Sequence, residues 1–225
     1  MADEGCVTAS LSHRLRAANL AVWDEMQAHR FVRDIEADAL PRAVFARYVV
    51  YERAFVETAI LIFGHAMLKT PDFTARRRLC GVLHGLSGEQ LGYFDRVLVA
   101  LGIPPCKPSV RPPQSVTVFD RYMLDVAETG SYLDILAIML AAEWMYATWC
   151  GRAYQRPISD PDISDWVRLH AAPEFLAQAD WLRDNVDAAG PDIDAATFQH
   201  LSKLFGTTLR LEIDFHTAPY EVTPT

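Results

Sequence analysis

Apolar residues recur along this chain at intervals of three and four, the spacing that lines one face of an α-helix, and no stretch of strand length alternates. The pattern predicts a first helix over residues 10–29, with Leu11, Leu15, Val22 and Met26 on one side. Pro41 suits the first turn of a second helix, because its ring fixes a helical φ and it lacks only an N–H that has no partner there. That helix continues through Phe45, Tyr48, Phe55 and Ile60 towards Leu68. Asp72 is placed to cap a third, over 73–101, which Gly102 and Pro104-Pro105 bring to an end. Residues 104–113, rich in proline, read as a connector. A fourth helix over 116–128 closes at Gly130, and a fifth over 132–151 is apolar on nearly every side. Pro157, Asp160 and Pro161 mark a loop. Shorter helices over 163–170 and 173–186 follow, then a last one over 195–216.

A helix apolar all round is one surrounded by other helices. The expected fold is therefore all-α, a helical bundle wrapped on a central apolar helix, with residues 1–225 forming a single domain. Composition agrees: 51% hydrophobic and 22% charged residues describe a chain able to offset the entropy of ordering. Its 21 Lys and Arg against 29 Asp and Glu leave a net charge of −8, which excludes a general nucleic-acid binder; the short run Arg76-Arg77-Arg78 reads as a solvated turn. Residues 1–10 carry acids and lack the apolar core of a signal peptide. The best apolar stretch, 135–150, holds Glu143 and falls short of the ~20 residues a bilayer requires. Cys6, Cys80, Cys106 and Cys150 are scattered, as expected of reduced thiols in a cytoplasm, and no membrane partner is expected.

Three acids break this apolar patterning. Glu52 lies in the row Phe45, Tyr48, Glu52, Phe55; Glu143 in Leu136, Leu140, Glu143, Ala147; Glu212 in Leu201, Phe205, Thr208, Glu212, Phe215. Buried carboxylates are costly unless paired, and one such acid is ordinarily a satisfied ion pair. Three, on three helices and each with aromatics nearby, predict an acidic, ring-lined pocket suited to a flat, nitrogen-rich heterocycle. Low polarity raises a carboxyl's pKa and makes it a usable acid or base near neutrality. Tyr146 stands three residues beyond Glu143, within reach on the same helix, although simple core packing accounts for it equally well.

At these residues the chain resembles the TenA/thiaminase II family. His29-Arg30-Phe31 is similar to its His-Pro-Phe, and Leu40-Pro41 through Phe45, Tyr48, Glu52 and Phe55 to its L-P-x-x-x-F-x-x-Y-x-x-Q-D-Y. Glu89 with Leu101-Gly102-Ile103, Phe119 to Leu124, Ala141 to Tyr146, Trp166 to His170 with Glu174-Phe175, and Leu211-Glu212 with Phe215 follow in the family's order. The resemblance implies a haem-oxygenase-like fold, assembly as a homodimer or homotetramer, and hydrolysis of aminopyrimidines from thiamin breakdown, or of thiamin. It implies that Glu52 grips the pyrimidine, that Phe55 and Phe119 sandwich its ring, that Tyr146 bonds at the reacting centre, and that Glu212 is the acid/base with Phe215 beside it. Tyr48 and His170, the latter where the family has a Tyr, complete the expected substrate site.

Ala142 stands where thiaminase-type members carry their nucleophilic cysteine. The resemblance thus implies the cysteine-lacking branch, acting on amino- or formylamino-pyrimidines in thiamin salvage by carboxylate chemistry. Glu143 becomes a candidate base or water-positioning group opposite Glu212, and no metal or other cofactor is expected. Two alternatives carry different signatures. A non-catalytic pyrimidine-binding or regulatory protein would follow from the lost nucleophile. A di-iron oxidase would use pairs such as Glu212 and His216 or His84 and Glu89, but the repeated Glu-x-x-His pairs of such bundles are missing, and His216, near the chain end, reads as solvated. His13, His65, His84 and His200 read as surface or capping residues, and no nucleophile elbow or phosphate-binding glycine loop is present.

Overall fold

The computed structural model describes residues 9–104 and 112–221; Cys6, Cys106 and most of the expected proline-rich connector lie outside them. All regular structure among the described residues is helical. The predicted first helix is in fact two, α1 (Leu11–Ala18) and α2 (Leu20–Gln27), followed by an unpredicted short α3 (Arg30–Glu36). The break at Asn19 has a tertiary cause. Its amide donates to the Leu15 carbonyl and to both the carbonyl and hydroxyl of Ser202 on α11 (Ala195–Thr217), pinning the chain there. Gly206 of α11 makes the approach possible, since a Cβ at that position would lie 2.1 Å from the Asn19 side-chain oxygen. His29 starts α3 by accepting the Phe31 N–H on Nδ1.

Helix α4 (Arg42–Lys69) runs 28 residues. The predicted third helix divides into α5 (Phe73–Gly85), a π-helical turn (Leu86–Gln90) and α6 (Leu91–Ala100). Ser87 lies in that turn and bonds back to the Leu83 and His84 carbonyls, a side-chain competition that loosens the backbone ladder. The ends behave as predicted: Asp72 accepts the Ala75 N–H at 2.7 Å, and Gly102 takes the left-handed φ of +72° that closes α6.

Helix α7 (Gln114–Thr129) leads into α8 (Tyr132–Ala153), which opens with a reciprocal capping box between Ser131 and Asp134. From Ile135 to Tyr146 every residue of α8 is buried. By length and composition α8 is the one helix among the described residues able to cross a membrane, with a mean hydropathy of 1.3. It is longer than the apolar stretch marked in the sequence because Tyr132, Leu133 and Ala153 extend it at both ends. In the fold it is the core. Helices α10 (Pro173–Ala189) and α11 flank it most closely, and α2, α3, α4, α7 and α9 (Pro161–His170) complete the sheath.

Candidate active site

Helix α9 is fixed at its N-terminal end. Asp160 caps it, accepting from the Asp162 and Ile163 N–H groups, and Arg42 of α4 pairs with both Asp160 and Asp162. This clamp sets α9 against the inward face of α4, where Glu52 is buried. The Trp166 indole N–H donates to Glu52 Oε2 at 2.7 Å. One turn later, His170 Nδ1 lies 2.9 Å from the Trp166 carbonyl. A carbonyl only accepts, so Nδ1 carries the hydrogen and Nε2 is the nitrogen facing Glu52 Oε1 at 3.5 Å. The carboxyl is thus held at one oxygen by indole and faced at the other by imidazole. The His170 ring packs against Trp166, with centroids 4.2 Å apart, and Trp149 stacks on the far side of that indole.

Glu212 projects from α11 into the same interior and is 1% exposed. Neither of its carboxyl oxygens has a hydrogen-bond partner. Burial, and secondarily the charge of Glu52, hold its pKa well above the usual carboxylate range. Between the two acids lie two phenols: Tyr48 and Tyr146 hydrogen-bond to each other at 2.9 Å, and burial lifts both phenol pKa values. Tyr48 is completely buried, and its hydroxyl meets that of Tyr146. Tyr146 also lies against the rings of His170 (5.3 Å) and His216 (5.5 Å).

The aromatic wall differs from the expected sandwich. Phe55 and Phe119 stack directly on each other at 4.7 Å and 21°, and Phe119 leads on to Phe215 at 5.3 Å. A ring inserted between two others needs them about 7 Å apart, twice a van der Waals contact, so these two part before anything enters between them. Of the two, Phe55 is partly buried and Phe119 fully so.

Glu143 is buried with Oε2 unpartnered, and burial pushes its pKa up to about 8. The charge acting on it is Arg78 of α5, whereas the charge acting on Glu212 is that of Glu52. Ala142 is buried beside it. Cys150, two turns along α8, is fully buried and its thiol pKa is raised well above normal, so no thiolate is available there.

Sequence reasoning misplaced one residue here and overlooked another. His216 is fully buried, not solvated: the helical period sets it one turn past Glu212 on the same face, and that register outweighs proximity to the chain end. Trp166, in the sequence one member of a motif, donates the 2.7 Å hydrogen bond to Glu52, and its place four residues before His170 is the signal that marks it. Among the described residues no three His, Cys, Asp or Glu side chains gather in a metal-binding arrangement. A separate surface hollow of about 200 Å³ is lined by Asp34, Asp38 and Asp160, whose carboxyls are engaged by Tyr220, Ser159 and Arg42.

Comparison with known proteins gives a consistent picture. The family model described as TENA/THI-4/PQQC matches residues 16–221. An aminopyrimidine aminohydrolase of Halalkalibacterium halodurans is 26% identical over 202 residues, covering 88% of this chain and 90% of that protein. A solved TenA homologue from Pyrococcus furiosus superposes with a TM-score of 0.86 at 17% identity, covering 93% of this chain and all of its own. A domain from Shewanella denitrificans described as having a heme oxygenase-like fold superposes with a TM-score of 0.70 at 13% identity, over 92% of this chain and 91% of its own. The architecture is the haem-oxygenase-like helical bundle that the resemblance implied.

Proposed function

The chain belongs to the TENA/THI-4/PQQC family, and from that premise we propose that it is a C–N hydrolase that removes the amino group of an aminopyrimidine derived from thiamin breakdown. The curated relative named as an aminopyrimidine aminohydrolase supports the reaction class. The observation that carries the reading is Glu212: a buried carboxyl with a raised pKa and no hydrogen-bond partner at either oxygen, in the same ring-lined interior as Glu52.

The reaction is written with water as the nucleophile, because Ala142 offers no thiol and Cys150 no thiolate. Glu52, fixed by Trp166, receives the heterocycle's amino edge. Glu212 gives its proton to the ring nitrogen, and the adjacent carbon becomes more electrophilic. Water bonds to that carbon while its proton passes to the Glu212 carboxylate. Glu212 then protonates the amino nitrogen, the C–N bond breaks and ammonia departs. The new hydroxyl proton returns to Glu212, leaving the ring with a carbonyl and a protonated ring nitrogen. The Tyr146 hydroxyl, steadied by Tyr48, bonds to the oxygen being added. Glu143, whose neighbouring charge is Arg78, holds water and leaves the proton traffic to Glu212.

We extend the reading to a cytoplasmic homodimer or homotetramer with no nucleic-acid or membrane partner. Supporting it are the burial of α8 inside the fold and the exposed Leu61, Leu68 and Phe73, which an interface would cover. The deciding experiment is ammonia release from aminopyrimidines and thiamin, run beside Glu212→Gln. Turnover should fall by about 10²–10⁴-fold with binding retained. A wild-type protein that binds aminopyrimidines and releases no ammonia is a binder, and the hydrolase reading is then wrong.

A further inference from the structure

We propose that His216 is a positioning residue for Glu212: its Nδ1–H, beside one oxygen of that carboxyl, fixes which oxygen carries the proton. The inference rests on Glu212 being the acid/base, as proposed above. It begins with a 2.7 Å contact between His216 Nδ1 and the main-chain carbonyl of Glu212, one turn back on α11. The carbonyl accepts, so the hydrogen sits on Nδ1. Nδ1 also lies 3.5 Å from Glu212 Oε2, beside that oxygen without hydrogen-bonding to it while the hydrogen is given to the carbonyl. Nε2 therefore carries the lone pair, and it has no partner.

What surrounds the ring keeps it neutral. Phe31, Trp149 and Phe215 pack against it, together with His29 from the start of α3, Tyr48 from α4 and Tyr146 from α8. His170 of α9 and His29 both disfavour a second positive charge, and Glu212 offers its oxygen on the Nδ1 side only. Burial, with His29 next, pushes the ring's pKa down to about 3. His216 thus gives a hydrogen bond and takes no proton.

For Glu212 the consequence is directional. While the carboxyl is protonated, Oε2 is the oxygen beside a donor, so the O–H falls on Oε1. When the proton leaves, the N–H closes on Oε2 and stabilises the carboxylate, because hydrogen bonds to the charged form are the stronger ones. His216→Phe keeps the ring shape and replaces N–H by C–H. His216→Asn places an amide N–H at the same distance along the side chain.

The test has two arms on the full-length protein. In the first, ¹⁵N-histidine NMR reads the tautomer and titration of His216, and ¹³C-carboxyl NMR reads Glu212. We expect the Nδ1–H tautomer, no titration between pH 5 and 9, a Glu212 midpoint raised by about one unit in His216→Phe, and a wild-type midpoint in His216→Asn. In the second, ammonia release gives kcat, KM and the pH profile. His216→Phe should lower kcat about tenfold or more with KM within about threefold, and move the alkaline limb up by about one unit; His216→Asn should restore both. An Nε2–H tautomer, a ring that titrates between pH 5 and 9, or a folded His216→Phe with an unchanged Glu212 midpoint overturns the proposal. If His216→Phe does not fold, the wild-type tautomer and the Asn variant decide it by the same criteria. If the wild type releases no ammonia, the hydrolase reading fails, and the NMR arm still decides the role of His216.

Discussion

Glu143→Gln should stabilise the protein, by an amount that grows with pH. Folding raises the Glu143 pKa from 4.5 to about 8 because the carboxyl is buried, with Arg78 opposing the effect only in part. The folded state therefore binds more protons than the unfolded one between those values, and stability falls as pH rises. Below about pH 4.5 both states are protonated and the group costs nothing. The interval spans about 3.5 pH units at about 1.36 kcal/mol each, and about 4 kcal/mol of it accrues between pH 5 and pH 8. Glutamine has the same shape and no proton to lose, so it removes the dependence. For a chain of this size 1 kcal/mol corresponds to roughly 2–4 °C in Tm. Scanning fluorimetry at constant ionic strength should show the variant within a few degrees of wild type at pH 5 and about 8–16 °C above it at pH 8. Taking the difference between the two proteins cancels the similar contribution of Glu212. A Tm difference that is flat across this range, or that shrinks as pH rises, refutes the assignment of a neutral buried carboxyl at this position.

Other perturbations probe the rest of the site. Trp166→Phe strips the donor from Glu52 Oε2 and should destabilise by about 1–3 kcal/mol, seen by urea unfolding, with a raised KM for aminopyrimidines. Tyr48→Phe leaves the Tyr146 hydroxyl without its partner; kcat should fall by about an order of magnitude with KM little changed, as steady-state ammonia release will show. Gly206→Ala drives a methyl into the Asn19 amide and should cost about 1–3 kcal/mol in denaturant melts, with Asn19→Ala recovering a measurable part of that loss in the double variant.

Much of this was legible in the chain because its causes are local. Asp72 and Gly102 act within a few residues of themselves, and the periodicity of α8 states its own burial. Glu52 and Glu212 stood out because a charge on an apolar row is a conflict that only a tertiary site resolves. The break at Asn19 was hidden because its partner, Ser202, lies 183 residues away. The π-helical turn was hidden because one turn of altered hydrogen bonding shifts the phase by about a single residue within an otherwise continuous helical pattern. The direct stack of Phe55 on Phe119 has the same character: the pattern puts both rings inside, and only the spacing of α4 and α7 decides whether a gap lies between them. His216 was misjudged where nearness to the terminus stood in for exposure.

The sheathing of α8 also governs how the molecule comes into being. The ribosome delivers α8 before α9, α10 and α11, so a 22-residue greasy rod waits, half-clothed by α2, α3, α4 and α7, for the helices that will cover it. Glu212 arrives on the last of them. A chain halted before α11 therefore lacks Glu212 and leaves one flank of α8 uncovered, so the same helix that brings the acid also finishes hiding the rod.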